Sequence, residues 1–166
     1  MLAMLVSMIK PMRVLELGTF TGYSALCLAE TLPDGGHVHT IEVDDEMEDE
    51  LTELFATSPG GERITLHIGD ALKVIPTLNE TWDLIYIDAN KRDYIAYLDL
   101  LLPTLRPGTF IIADNTLWDG KVYDTVKNHD AQTLGLDAFN TYVAAHPRLA
   151  SVILPLRDGL TLIRVD

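Results

Sequence analysis

MRVLELGTFTGYSALCLAE, residues 12–30, passes from one periodicity to another through a pair of glycines. Met12 to Leu17 is a short apolar run that reads as a buried strand. Gly22 to Leu32 carries its apolar residues at helical spacing. Between them, Gly18 and Gly22 let the backbone turn tightly and come close to a ligand. Strand, glycine turn and helix in this order open an α/β unit.

The same alternation continues along the chain. Strands are expected at His37–Glu42, Ile64–Ile68, Trp82–Asp88 and Thr109–Ala113. Helices are expected at Asp45–Ala56, Asp70–Leu78, Tyr94–Leu105 and about Ala131–Ala145, the last after a loop. Ser151–Leu156 and Leu160–Val165 pair as a hairpin across Arg157-Asp158-Gly159. Ahead of the first strand, Leu2, Leu5, Val6 and Ile9 fall on one face of a core-facing helix. The pattern predicts a single α/β domain over 1–166, a mostly parallel sheet with helices on both faces and one antiparallel strand from the final hairpin. No repeat, linker or low-complexity stretch interrupts it.

The 166 residues suffice for one domain with a real core. The net charge of −13 repels nucleic-acid phosphates and anionic membranes alike, so neither is an expected partner. The apolar N-terminus is too short to span a bilayer and lacks the basic segment and cleavage site of a signal peptide. Cys27 is the sole cysteine, which excludes an internal disulfide and a cysteine zinc site. It reads as a small core residue in a reducing, cytoplasmic setting.

In such sheets ligands bind beyond the carboxyl ends of the strands. Here those ends carry Glu16 and Gly18, Glu42, Asp70, Asp88, and Asp114 with Asn115. The G-x-x-x-G spacing lacks the run that cradles a dinucleotide pyrophosphate, and no lysine stands by for a triphosphate. The turn suits a nucleoside without phosphates and argues against a nicotinamide dehydrogenase. Glu42 is placed to accept bonds from ribose hydroxyls. Asp70 serves equally as a helix N-cap and as a partner for an adenine amino group. Asp88, Asp114 and Asn115 are hard oxygen donors suited to Mg²⁺, Mn²⁺ or Ca²⁺. Successive strand residues face opposite ways, so Asp114 and Asn115 can share one ion only if the chain bends there. Lys91 reads either as an exposed lysine in a charged turn or as a base. A cation bound nearby favours its neutral amine and fits it to take a proton from a hydroxyl.

LELGTFTGYSALCLA, IDANKRDY, ADNTLWDGKV and LPLRDGLTLI are similar, in order and spacing, to the caffeoyl-CoA and catechol O-methyltransferases. Together they cover nearly the whole chain. The resemblance implies a Rossmann-like class I methyltransferase fold, seven strands with the last reversed. It implies Glu16, Gly18, Thr19, Ser24, Glu42, Asp70, Ala71, Asp88 and Asn90 around S-adenosylmethionine. It implies Asp88, Asp114 and Asn115 as ligands of Mg²⁺ or a similar ion, Lys91 as the base with Asp88 beside it, and Trp118 on the substrate side or as an anchor of its loop. The expected acceptor is a small aromatic diol, and the expected assembly a homodimer.

Two departures stand out. The family has aspartate where this chain has Asn90, which keeps an acceptor oxygen and drops a charge. The family also carries more chain ahead of the first strand, so its N-terminal helical segment is expected to be lacking here. Two alternatives follow: a methyltransferase of hydroxylated uridine in tRNA, which the net charge opposes, and a non-catalytic module that binds S-adenosylmethionine, which the intact Asp88, Lys91, Asp114 and Asn115 oppose.

Overall fold

The computed structural model describes residues 1–124 and 130–166. The loop expected before the last helix includes residues 125–129, which lie outside the described residues. Seven strands form one sheet: β1 (Arg13–Leu17), β2 (His37–Glu42), β3 (Ile64–Ile68), β4 (Leu84–Ile87), β5 (Phe110–Asp114), β6 (Leu149–Leu154) and β7 (Leu160–Val165). Their order is β3-β2-β1-β4-β5-β7-β6. β1, β2 and β3 pair in parallel, whereas β7 is antiparallel to both its neighbours. This is the Rossmann-like class I methyltransferase sheet with one reversed strand. The chain divides into two compact units, Met1–Ile85 and Tyr86–Asp166.

In the first unit, α1 (Leu2–Ile9) packs on α2 (Tyr23–Glu30). Val6 is fully buried, while Leu2, Leu5 and Ile9 are only half-buried. Lys10 ends α1 in a left-handed turn, its N–H bonded to Val6 O at 2.7 Å. The acidic helix begins as a 3₁₀ turn over Asp45–Met47, capped by Asp44, and continues as α3 (Glu48–Thr57). Its Leu51 and Phe55 bury against Ala25 of α2, with Ile64 and Leu66 of β3 packed around them. α4 is short (Ala71–Val74) and closes in a 3₁₀ turn over Ile75–Thr77. Cys27 departs from the sequence reading. It is half-buried, not a core residue, because the buried face of α2 is Ala25, Leu28 and Ala29. The neighbouring Cys27 thiol holds the Tyr23 hydroxyl above the usual phenol range.

In the second unit, α5 (Tyr94–Leu101) and α6 (Ala131–Ala145) pack together, and Tyr94, Leu98, Phe139 and Val143 are buried on them. Tyr94 and Phe139 meet edge to face, centroids 5.3 Å apart. α6 is capped by Asp130, whose Oδ1 accepts from the N–H groups of Gln132 and Thr133. β6 runs from Leu149 to Leu154, earlier than expected, and the hairpin turns through the left-handed Arg157 and Gly159. No helix among the described residues is long and apolar enough to cross a membrane.

Candidate active site

At the end of β1 the chain turns through Gly18 (φ 96°), Phe20 (φ 46°) and Gly22 (φ 74°). Side chains at Gly18 and Gly22 would be strained by these angles, and a Cβ at Gly22 would also press on Leu54 at 2.8 Å. The turn is stapled to β2. Gly18 N–H donates to Ile41 O at 3.0 Å, and Phe20 N–H donates to Glu42 Oε2 at 2.7 Å. The other Glu42 oxygen accepts from Asp44 N–H at 3.0 Å. Each carboxylate oxygen keeps a second lone pair for a ligand hydroxyl.

Glu16 is fully buried. Thr40 Oγ1 donates to its Oε2 at 2.5 Å and lies 2.6 Å from Thr19 Oγ1. Thr40, which the sequence reading did not single out, therefore links two of the predicted cofactor residues. Its only advance signal was a hydroxyl on the strand beside the glycine turn. Ser24 stands in the first turn of α2, half-buried. Asp70 caps α4, its Oδ1 accepting from Leu72 N–H at 3.0 Å, and Ala71 is buried behind it. The capping role is thus present. All of Glu16, Gly18, Thr19, Ser24, Glu42, Asp70 and Ala71 belong to the first unit.

The remaining predicted residues belong to the second unit. Beyond β4, a 3₁₀ turn over Lys91–Asp93 leads into α5. Asn90 opens it, its Nδ2 donating to Asp93 Oδ2 at 2.5 Å. Lys91 is not the exposed lysine of a charged turn. Its side chain is 8% exposed, and Nζ donates to Asp88 Oδ1 at 2.5 Å and to Tyr94 Oη at 2.9 Å. Nζ also lies 5.2 Å from the centre of the Tyr94 ring and 5.9 Å from that of Trp118. Asp88 is the exposed member of the pair, its side chain 39% accessible.

The bend required at the end of β5 is present. Asn115 follows Asp114 with φ 59°, a left-handed turn that breaks the strand's alternation. Asp114 Oδ1 accepts from Asn115 N–H and Oδ2 from Tyr86 Oη, both at 2.7 Å. Trp118 (φ 47°) is held by its backbone N–H to Asn115 O and Asp158 O, each at 3.1 Å. Lys121 Nζ lies 5.9 Å from its ring as well.

Tyr94 joins these parts. It is fully buried, and its hydroxyl lies 3.1 Å from both Ile87 O and Asp114 O, the last carbonyls of β4 and β5. Burial, then the charges of Asp88 and Asp114, hold its hydroxyl well above the usual phenol range, so it stays protonated. Tyr94 closes the IDANKRDY motif, which by itself shows no role for its hydroxyl. Its spacing of i, i+3 from Lys91 at a helix start was the available signal. Tyr86, the donor to Asp114, was missed altogether.

Among the described residues no group of three or more His, Cys, Asp or Glu side chains is arranged to hold a metal. Asp88, Asp114 and Asn115 include only two such residues, and the third of these expected ligands, Asn115, is an amide.

The glycine turn at β1, the acid ending β2, and the Asp88–Lys91 and Asp114–Asn115 pairs on a seven-stranded sheet with one reversed strand define a class I methyltransferase. The sequence profile of the O-methyltransferase family matches residues 1–165, and the chain belongs to that family of S-adenosylmethionine-dependent enzymes. It is 32% identical to the catechol O-methyltransferase of Niastella koreensis, over 97% of this chain and 76% of that protein. It is likewise 32% identical to the caffeoyl-CoA O-methyltransferase of Petroselinum crispum, over 98% of this chain and 72% of that protein. The solved O-methyltransferase from Bacillus cereus, in complex with SAH, superimposes with a TM-score of 0.91. It is 33% identical and covers 99% of this chain and 79% of its own.

Proposed function

We propose that this chain moves the methyl group of S-adenosylmethionine to one hydroxyl of a small catechol-like aromatic, in a reaction that depends on a divalent ion. The observation that carries the proposal is Lys91, a buried amine bonded to Asp88, three residues before it. Burying a lysine is costly and calls for a function or a paired charge, and here the pairing carboxylate is itself half-exposed. The similarity to a catechol O-methyltransferase and a caffeoyl-CoA O-methyltransferase supports the same acceptor class.

The residues present fit a hard ion. Asp88, Asp114 and Asn115 offer oxygen donors only, and the left-handed Asn115 turns its amide out of the strand's alternation. Tyr86 and the Asn115 N–H orient Asp114 as outer partners of a ligand do. Bound to these residues, Mg²⁺ or a similar ion would supply Lewis acidity and a template for two neighbouring hydroxyls. S-adenosylmethionine supplies an electrophilic methyl, which passes to oxygen as its bond to sulfur breaks.

The chain's own part divides between the units. In the first, the Gly18–Gly22 turn and the lone pairs of Glu42 bind the nucleoside, while Glu16, Thr19, Ser24, Asp70 and Ala71 shape its surroundings. In the second, Lys91 Nζ takes the proton of the reacting hydroxyl. Asp88 Oδ1 and Tyr94 Oη then receive N–H bonds from the ammonium that results. Trp118 presents an aromatic face to that amine and to the acceptor. Much of the acceleration comes from holding the reactants in near-attack geometry. A homodimer and a cytoplasmic location belong to the same proposal. The first rests on the family resemblance and the second on Cys27 being the sole cysteine.

The deciding experiment is methyl transfer from labelled S-adenosylmethionine to a panel of catechols, with Mg²⁺ and with chelator. Turnover that needs the ion is expected. Cofactor binding without turnover on any diol would point instead to a non-catalytic binding module.

A further inference from the structure

We propose that Tyr94 is a positioning residue that aims the lone pair of Lys91. The inference rests on the reading of Lys91 as the base.

The direction of each hydrogen bond follows from chemistry alone. A phenol has one proton to donate and two lone pairs to accept with. Ile87 O and Asp114 O, each 3.1 Å from Tyr94 Oη, are acceptors only, so the phenol proton is directed at them. Lys91 Nζ, 2.9 Å away, is therefore the donor, and Tyr94 Oη accepts from it. Asp88 Oδ1 accepts a second N–H at 2.5 Å.

A neutral amine has two N–H bonds and one lone pair. With Asp88 and Tyr94 taking both N–H bonds, the lone pair is confined to the remaining tetrahedral position. One partner alone would leave the amine free to rotate and to point its lone pair elsewhere. Tyr94 is fit to act as a fixed reference. It is fully buried, its ring is wedged edge to face against Phe139, and its hydroxyl ties down the last carbonyls of β4 and β5. Those strands lead directly to Asp88 and end on Asp114.

The test is a cycle of Tyr94→Phe, Lys91→Met and the double variant in the full 166-residue chain. It is read by steady-state kinetics and by mass-spectrometric labelling of lysines with an amine-reactive reagent. Phe keeps the ring and removes only the hydroxyl. Tyr94→Phe is expected to lower kcat about tenfold, the lower end for loss of an orienting outer partner, with KM for S-adenosylmethionine unchanged. The double variant is expected to be no slower than Lys91→Met, because Tyr94 acts through the amine. Lys91 should label several-fold faster in Tyr94→Phe than in the parent.

An equal fractional loss in the Lys91→Met background would reduce Tyr94 to a structural part and overturn the inference, as would unchanged labelling of Lys91. One arm needs no variant. In the parent chain Lys91 must label much more slowly than Lys73, whose side chain is 84% exposed, and equal rates would also overturn it. Full turnover by Lys91→Met overturns the base reading instead, and the labelling then decides by itself whether Tyr94 holds the amine.

Discussion

The hydroxyl of Tyr86 donates to Asp114 Oδ2 at 2.7 Å, joining the third residue of β4's apolar run, LIYI, to the carboxylate that closes β5. That bond sets the plane of the Asp114 carboxylate. Tyr86→Phe is expected to raise the Mg²⁺ concentration for half-maximal turnover by about tenfold, as removal of an outer-shell partner does. Titration of activity against Mg²⁺ in the two proteins measures it. An unchanged midpoint would mean that Asp114 is oriented without Tyr86.

Asp114→Ala removes the carboxylate itself. Turnover is expected to be lost while cofactor binding persists, because the residues assigned to the cofactor lie chiefly in the other compact unit. Calorimetry with S-adenosylhomocysteine, run beside the methyl-transfer assay, separates the two effects. Full activity in this variant would sink the metal assignment.

Thr40 donates to the fully buried Glu16 and contacts Thr19. Thr40→Val keeps the shape and removes the donor from a carboxylate that no water reaches. The expected cost is about 1–3 kcal/mol of stability, for a buried acceptor that loses this donor. Urea denaturation measures it.

His39 and His67 face each other from β2 and β3, with Nδ1 and Nε2 3.0 Å apart. Burial, then the neighbouring His37 and His67, push His39 down to about 4. His67 is lowered by burial, and His37 by burial and then Arg13. A folded-state value below the unfolded value of about 6.5 means that the unfolded chain binds protons first as pH falls. The stability these residues contribute is complete above pH 6.5 and is lost as pH falls from there towards about 4. Thermal midpoints measured across that window should fall less steeply in His39→Leu than in the parent. Parallel curves would show that His39 does not carry the effect.

Gly135 lies where α6 crosses the Lys91–Asp93 turn. A Cβ there would sit 2.7 Å from Lys91 O and 2.9 Å from Arg92 Cα, both backbone atoms that cannot swing aside. Ala gains about 1 kcal/mol of helix propensity over Gly. Overpacking a fitted contact costs about 1–3 kcal/mol and should win. Gly135→Ala is thus expected to lower both the melting temperature and kcat, since the displaced turn carries Lys91. A more stable, fully active variant would show that α6 can shift at no cost.

Periodicity was sufficient for several elements. β2, β3, β7 and α6 fall on the residues where sequence patterning puts them. Elsewhere burial and pairing part company. Trp82 is buried yet stands outside β4, which starts at Leu84. Apolar character reports removal from water, whereas strand assignment depends on a partner for the backbone. β6 ends at Leu154, paired with Leu160, because Pro155 has no N–H to continue the ladder. A hairpin drawn symmetrically about Arg157-Asp158-Gly159 missed this.

By itself the sequence determined the alternation of strands and helices, the glycine turn, the acidic strand ends and the family, because each is written in local spacing. Only the tertiary structure decided the state of Lys91, the bend at Asn115 and the roles of Thr40, Tyr86 and Tyr94. Those depend on which side chains meet across elements. Lys91 in its charged turn reads as a solvated residue until Asp88, Tyr94 and the Trp118 ring enclose it. A hydroxyl such as that of Tyr94 has no legible purpose until the two carbonyls and the amine around it are known, since hydrogen-bond direction is set by the partners and not by the residue type.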